Sequence, residues 1–456
     1  MAGAMTQGKE WKHILLFTLP IMAGNLLQQM YNIVDGIVVG NFVGQSALSA
    51  VGTCTPLTLL FLALAIGMSN GCAILIAQYF GAKRWTELRR GVSTSIIMLV
   101  ALGAVVSVAG LALSWPLLAV VMGVPGTALD FALIYFRIYS VGLLFQFAYN
   151  IAAAILRAVG DSKATLYFLL VSAAANVVLD LLFVAVLDWS VAGAAVATVI
   201  SQALSAGVSL VYMFRRHEIL RFTRAQFTFH RATGLLALKL GVPTALQQCV
   251  VSCGHIAIQR VVNSFGDDLM AAFTAGLRLD QIIMVPIQGF NVGMATFTGQ
   301  NMGAGRLDRV PRGYRATQLM SCGVCIVLSV LSWIFADPLV SIFGVEGAPH
   351  AMGVEYVRFA APFFLLFALY MNTGAILQGS GDVVAAACIT LGSLGIRAGA
   401  TYVLAYLTPV GYAAAWTSLP IGWSLALVAA YLRYKFGPWK KKGIVKNTGG
   451  PVGLTE

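Results

Sequence analysis

Gly67-Met68-Ser69-Asn70-Gly71, followed by Gln78-Tyr79-Phe80-Gly81-Ala82-Lys83-Arg84, decides the fold, because the chain writes it twice. The second copy is Gly289-Phe290-Asn291-Val292-Gly293, then Gln300-Asn301-Met302-Gly303-Ala304-Gly305-Arg306. Gln78 and Gln300, Gly81 and Gly303, and Gly91 and Gly313 all lie 222 positions apart. Leu156-Arg157-Ala158-Val159-Gly160-Asp161 likewise returns as Leu377-Gln378-Gly379-Ser380-Gly381-Asp382, at a spacing of 221. Such self-similarity in an apolar chain predicts two structural repeats about a central site, the plan of a membrane transporter. The copies differ in charge. Asp35 and Asp180 sit inside apolar segments of the first, where the second has Ile258, Gln259 and Thr401.

Composition sets the solvent. Of 456 residues, 59% are hydrophobic and 10% are charged, with mean hydropathy +0.84. A soluble domain carries roughly 25% charged residues, so a membrane protein is expected. The 47 glycines suit helices that must approach closely without a hydrophobic drive between them. The seven cysteines lie in or beside apolar stretches, and Cys322 and Cys325 fall within one. They read as small buried residues rather than a disulfide or a metal site. No short hydrophobic segment with an A-x-A cleavage site opens the chain, so no removed signal peptide is expected.

A span needs roughly 17–25 mostly apolar residues. Spans are predicted near 14–39, 47–79, 92–116, 131–155, 164–187 and 191–213, and again near 235–262, 268–301, 314–336, 352–377, 384–407 and 410–433. The fold class is thus all-α and integral to the membrane, with twelve helices in two six-helix lobes. The expected division is an N-terminal lobe over 1–214, a basic connector over 215–234, a C-terminal lobe over 235–433 and a basic tail over 434–456. The second and eighth runs are long enough to require a bend or a steep tilt.

A net charge of +12 would suggest nucleic acid in a soluble protein. Here the basic residues fill short loops instead: Lys83, Arg84, Arg89 and Arg90; Arg215, Arg216, Arg221, Arg224 and Arg231; Arg306, Arg309, Arg312 and Arg315; Lys440, Lys441 and Lys442. The alternate loops hold Asp188, Asp267, Asp268, Asp337 and Glu346. No nucleic-acid partner is expected. Both termini and the connector are placed in the cytoplasm of a multi-pass protein of the inner, or plasma, membrane. Six spans per half relate the lobes by a pseudo-two-fold axis along the membrane normal, with a cavity between them.

Polar residues inside the spans mark the chemistry. Asn25, Gln28, Asn32 and Asp35 share one face of the first span, and Ser172, Asn176 and Asp180 share one of the fifth. Pro20 lies upstream of the first stripe and frees a backbone carbonyl, so the helix can bend there. Buried carboxylates in hydrocarbon are costly and face an interior or a watery cavity. Asp35 and Asp180 form a pair able to exchange a proton near neutral pH or to share one small cation. Asn150, Asn176 and Thr198 supply oxygens that would suit Na⁺ there, and no other metal is expected. Gln248, Ser252, His255 and Gln259 repeat the first stripe without its acid. His255 titrates near neutrality in water, although a lone His on such a face is more often a packed hydrogen-bonding residue. Arg278, Asp280 and Arg397 are intramembrane charges and candidates for the substrate cavity together with Gln28, Asn32, Gln248 and His255. A cross-helix pair between Asp280 and Arg397 is expected, as structural lock or substrate contact. No G-x-x-x-x-G-K-[ST], H-E-x-x-H or G-x-S-x-G occurs.

These residues resemble the multidrug and toxic compound extrusion (MATE) family in its DinF-like prokaryotic branch. The resemblance covers nearly the whole chain. It is carried by Leu19-Pro20, Tyr31-Asn32-Ile33-Val34-Asp35 closing on Gly40, Leu156 to Asp161, Asn176-Val177-Val178-Leu179-Asp180 and Gly299 to Ala304. It implies a secondary active transporter, not an enzyme, exporting drug-like organic molecules by alternating access against an inward H⁺ or Na⁺ gradient, with no cofactor. It also implies that Asp35 and Asp180 form the cation site of the N-terminal lobe, lined by Gln28, Asn150, Asn176 and Thr198, and that Pro20 marks the bend of the first helix. Other branches carry further acids on the seventh and tenth helices, and this chain has none deep there. On the residues, H⁺ is favoured over Na⁺, since a proton needs one site and Na⁺ several converging oxygens. Small organic substrates and the lipid bilayer are the expected partners of a monomer. The alternative is a flippase of lipid-linked precursors from the same superfamily, for which Arg278 and Arg397 argue and Asp35 and Asp180 argue against. A channel or receptor would not need two matching lobes.

Overall fold

A computed structural model describes the backbone of residues 4–42, 45–124 and 126–445, and the side chains of these except 31–51, 126–127, 224 and 255–256. Among the described residues eleven helices are long and apolar enough to cross a membrane. With Glu10–Phe42 they make twelve. The first lobe holds α1 (Glu10–Phe42), α2 (Gln45–Gly81), α3 (Trp85–Ala112), α4 (Gly126–Ala158), α5 (Ser162–Val186) and α6 (Ser190–Arg216). The second holds α7 (Arg231–Asn263), α8 (Asp267–Gly303), α9 (Arg309–Ile334), α10 (Ala348–Ser380), α11 (Val383–Leu407) and α12 (Gly411–Phe436). Helices satisfy every backbone group within the segment, which hydrocarbon demands. Their outer faces carry apolar side chains such as Val105, Val108, Leu319 and Leu407, all more than half exposed.

α2 and α8 are 37 residues each, or about 55 Å against an apolar core of roughly 30 Å. The excess carries them past the other helices at the end that bears the basic loops. There Gly81 and Gly303 let the two helices cross backbone to backbone. A Cβ on Gly81 would lie 1.9 Å from the Gln300 carbonyl oxygen, and one on Gly303 the same distance from that of Gln78. α2 also lies against α7, with Gly67 on Ala245 and Gly71 on Gly241. α1 runs unbroken through Pro20 and belongs to both lobes. Ile14, Phe17 and Ile21 share a core with Phe290, Met294 and Phe297 of α8, whereas Gly24 faces Leu166 and Leu169 of α5. At the opposite end the lobes keep separate cores: Cys54, Leu57, Leu118 and Phe136 in one, Val261, Ala405 and Ala414 in the other.

The repeat extends to the loops of the basic end. Gly160 and Gly381, 221 apart, adopt φ of 90° and 92°, a left-handed turn that glycine takes without steric cost. The aspartate after each ties its lobe together, with different partners. Asp382 takes a bidentate grip from Arg433 at the end of α12, at 2.8 and 3.2 Å. Asp161 instead meets His217 just past α6, at 2.9 Å, and accepts from the Tyr212 hydroxyl and from the Ala164 amide that starts α5. The connector after α6 is seated rather than loose. Ile219 takes a hydrogen bond from Arg89, and Thr228 one from Ser93, both of α3.

Burial pushes the Asp161 carboxyl up, but His217, the Ala164 amide and Tyr212 together outweigh it and hold the group below the ordinary carboxylate value. A depressed folded value means that stability is present above the unfolded value near 4 and is lost as pH falls through the lower folded one. Detergent-purified protein should therefore melt higher than Asp161→Asn at neutral pH, and the gap should close as pH drops below about 4. A gap that is constant with pH would exclude an ionised Asp161 as the source.

Candidate functional site

One acid of the first lobe is enclosed beside a neutral amide. Asp180 and Asn176 are each 1% exposed and lie one turn apart on α5, so they share a face. With the Asn176 amide oriented to satisfy both of its neighbours, its nitrogen donates to Asp180 Oδ2 at 2.6 Å. Its oxygen accepts from the Thr198 backbone N–H of α6 at 3.3 Å. Hydrogen-bond partners are the usual basis for such amide assignments. Ser172, one turn earlier on the stripe, donates to the Ser201 carbonyl of α6 at 3.1 Å. Thr198 spends its hydroxyl on the Ala194 carbonyl, so it reaches the site through its main chain. Asn150 on α4 donates to the Gln146 carbonyl at 2.8 Å, and Gln146 Oε1 accepts from the Tyr139 hydroxyl. Directly after Asp180 the helix widens into π turns over Leu181–Val186, an irregularity that recurs at functional sites.

On α1, Pro20 is half-buried and Gln28 is exposed to the space beside the helix. The side chains of Asn32, Asp35 and His255 lie outside the described residues, so the first-span stripe is placed by its backbone only.

The second lobe is built differently. Asp280, 4% exposed, accepts a very short hydrogen bond from the Tyr356 hydroxyl of α10. Tyr356 rests on Gly276, where a Cβ would stand 2.3 Å from the ring, and Trp416 and Phe273 meet it edge-on. Arg397 on α11 lies 221 after Asn176 and is 8% exposed. It lies within electrostatic reach of Asp280 and Tyr356, yet no ion pair within 4 Å joins it to Asp280 among the described residues. Its Nε has no hydrogen-bond partner among the described residues. Its stem packs on Gly422, and its carbonyl accepts from Thr401, the counterpart of Asp180. The two charges share a cluster without forming a direct bridge. Tyr356 is the partner that sequence reasoning missed, because a single Tyr in an apolar run carries no periodic signal.

Arg278 points elsewhere, as its offset of two from Asp280 requires. It is exposed, stands 5.9 Å from the Phe343 ring centroid, and lines a recess of about 330 Å³ with Met270, Thr274 and Val345. Gln248 is half-buried, its carbonyl accepting from Ser252.

A family model described as MatE matches residues 20–182 and 243–403. The chain belongs to the MatE family. The protein named "Probable multidrug resistance protein YpnP" of Bacillus subtilis is 30% identical over 437 residues, covering 95% of this chain and 97% of that one. "Probable multidrug resistance protein NorM" of Thermotoga maritima is 22% identical, covering 95% and 94%. Among solved structures, the one described as the outward-facing conformation of a multidrug resistance MATE family transporter of the MOP superfamily superposes with a TM-score of 0.87. It is 26% identical, covering 95% of this chain and 96% of that one. A MATE structure in the bent conformation scores 0.87 at 26% identity, covering 94% and 95%. As a MatE protein the chain is a multi-pass secondary transporter and not an enzyme, with twelve helices in two lobes.

Removing the donor nearest Asp180 tests the assembled site. Asn176→Ala should cost about 1–3 kcal/mol, the penalty of an unmet buried acceptor, against about 1 kcal/mol for Ser172→Ala. Thermal unfolding in detergent at pH 7 reads the difference, and equal melting points would mean that Asn176 does not support the acid.

Proposed function

We propose that this MatE protein exports drug-like organic compounds across the plasma membrane by alternating access, driven by inward movement of H⁺ through Asp35 and Asp180. The observation that carries this reading is Asp180, an acid fully enclosed in the first lobe with the Asn176 amide against its Oδ2. Asn offers both a donor and an acceptor, so this neighbour can meet the carboxyl with or without a proton. Protonation turns one carboxylate oxygen from acceptor into donor, and the Asn176–Thr198 connection between α5 and α6 lies beside that change. The multidrug names of relatives support the substrate class, and the separate cores at the far end support a state open on that side. The basic end, where both terminal segments and the connector meet, is then cytoplasmic. Na⁺ remains the alternative ion, to be completed by Asn150, Asn176 and Thr198.

Arg278 and Arg397 favour a second reading, a flippase for lipid-linked anionic precursors. Arg397 has unspent donors, but it shares its cluster with Asp280, which lowers the net positive charge that such a headgroup would seek.

Proteoliposomes separate these possibilities. Ethidium efflux should run in sodium-free vesicles on a pH gradient alone, and Asp35→Asn and Asp180→Asn should each reduce it by at least about 100-fold while remaining folded. Efflux that appears only with millimolar Na⁺ would reverse the choice of ion. Undiminished efflux in both variants would sink the site, and absence of dye efflux with retained lipid-precursor flipping would favour the second reading.

A further inference from the structure

Two glutamines from the repeated stretch sit at the crossing of α2 and α8, and neither takes part in the site above. Gln78 and Gln300 are both 0% exposed. Gln78 Nε2 donates to the Gly379 carbonyl of the second lobe at 3.0 Å, and Gln300 Nε2 donates to the Ala158 carbonyl of the first at 2.9 Å. Gly379 and Ala158 are themselves 221 apart, so the exchange is reciprocal. The other half of each carboxamide is also spent. Gln78 Oε1 accepts from the Ile444 N–H of the C-terminal tail at 2.7 Å, and Gln300 Oε1 accepts from the Met5 N–H ahead of α1 at 2.8 Å. A carbonyl only accepts and an N–H only donates, so each amide has one allowed orientation.

The terminal segments are built into this end. Met5 is 2% exposed, and its carbonyl accepts from Asn301 and Arg309. Arg309 also reaches the Gly8 carbonyl at 2.9 Å and Glu10 at 3.4 Å. On the other side Trp439 is 1% exposed and stacks on Tyr434. Beyond it, Lys442 lays its carbonyl against Gly381, and Gly443 lies on Met302.

We propose that Gln78 and Gln300 form a crossed latch that holds the basic end shut, and that the latch closes only when both terminal segments are docked. The proposal rests on the alternating-access reading and adds which residues and segments must let go for the basic end to open. Each carboxamide bridges an opposite-lobe carbonyl and the N–H of a terminal segment, so separating the lobes strips the Gly379 and Ile444 bonds from Gln78 and the Ala158 bond from Gln300, whose Met5 partner stays with its own lobe. A buried polar group that loses its partner bears the full desolvation penalty. Opening therefore needs water to enter or the termini to leave with it, which ties the termini to the gate. Gly81 and Gly303 make the approach possible, because any side chain there would collide with the opposite carbonyl.

The isosteric test is Gln78→Glu and Gln300→Glu. Each keeps the volume and the acceptor but replaces the donor that faces the opposite carbonyl. On a background lacking the seven cysteines, spin labels at the exposed Arg84 and Arg306 positions report the separation of the two basic loops in full-length protein in lipid nanodiscs at pH 7. Wild type should show a dominant short separation. Each Glu variant should raise the long-separation fraction about five- to tenfold, the weight of one or two lost hydrogen bonds. Gly81→Ala and a chain ending at Lys442, which removes the Ile444 donor, should move it in the same direction, and Gln78→Leu serves if a Glu variant does not fold. An unchanged distribution in the glutamine variants and the truncated chain would overturn the latch. A truncated chain like wild type beside opened glutamine variants would overturn the requirement for the tail. Dye efflux by the wild type is measured separately, so a protein that exports dye while its variants stay closed defeats the latch alone, and a protein that exports nothing defeats the export reading alone.

Discussion

The crossing of α2 and α8 at Gly81 and Gly303 is the contact on which the two-lobe arrangement depends. In hydrocarbon, helices gain little by hiding apolar surface from one another, since lipid is as apolar as leucine. Close packing and a few hydrogen bonds must hold them. A Cβ at either glycine would stand 1.9 Å from a carbonyl oxygen, so the crossing exists only because two positions related by the repeat are both glycine. Once the helices touch there, Gln78 and Gln300 reach across, α1 lies along α8, and both terminal segments find a buried seat. At the other end, among the described residues, each lobe keeps a core of its own.

Much of this was legible in the sequence, and for identifiable reasons. The repeat survives as quoted residues because glycines at backbone crossings and glutamines at shared carbonyls tolerate no substitute of other shape. The twelve spans follow from hydropathy, since lipid imposes one rule on every helix. On α5, Ser172 and Asn176, one turn apart, both turn to α6. What escaped notice were long-range polar contacts with no periodicity. Tyr356 against Asp280 joins residues 76 apart, and Met5 against Gln300 joins residues 295 apart. The straddling of α1 was also hidden, because hydropathy says that a helix crosses the membrane but not which lobe each of its turns serves. The seating of the connector is hidden as well, because its basic charge says nothing of the carbonyls that receive Arg89 and Ser93.

The two lobes solve the same geometric problem with different chemistry. At the basic end Asp382 is held by Arg433, a guanidinium charged at any working pH, while its counterpart Asp161 is held by the His217 imidazole and the Tyr212 hydroxyl. In the interior the position of Asn176 becomes Arg397, and that of Asp180 becomes Thr401. The same repeat positions thus carry an amide and an acid in the first lobe and a guanidinium and a hydroxyl in the second.

That contrast bears on which lobe can couple to an ion. In the second lobe Arg397 and Asp280 share a buried cluster without a direct bridge, and the Tyr356 hydroxyl is what holds the acid. Asp180 is met by an amide, the Asn176 side chain, at 2.6 Å. An amide can present either end to a carboxyl, so the cluster can follow a proton on and off by rotating hydrogen bonds. The π turns after Asp180 loosen the same stretch of α5, and the α6 backbone at Thr198 is tied to it through one 3.3 Å bond. Asp180 therefore lies one amide away from the α6 backbone, so a change of protonation there reaches the packing of α5 on α6 through a group that can turn to follow it.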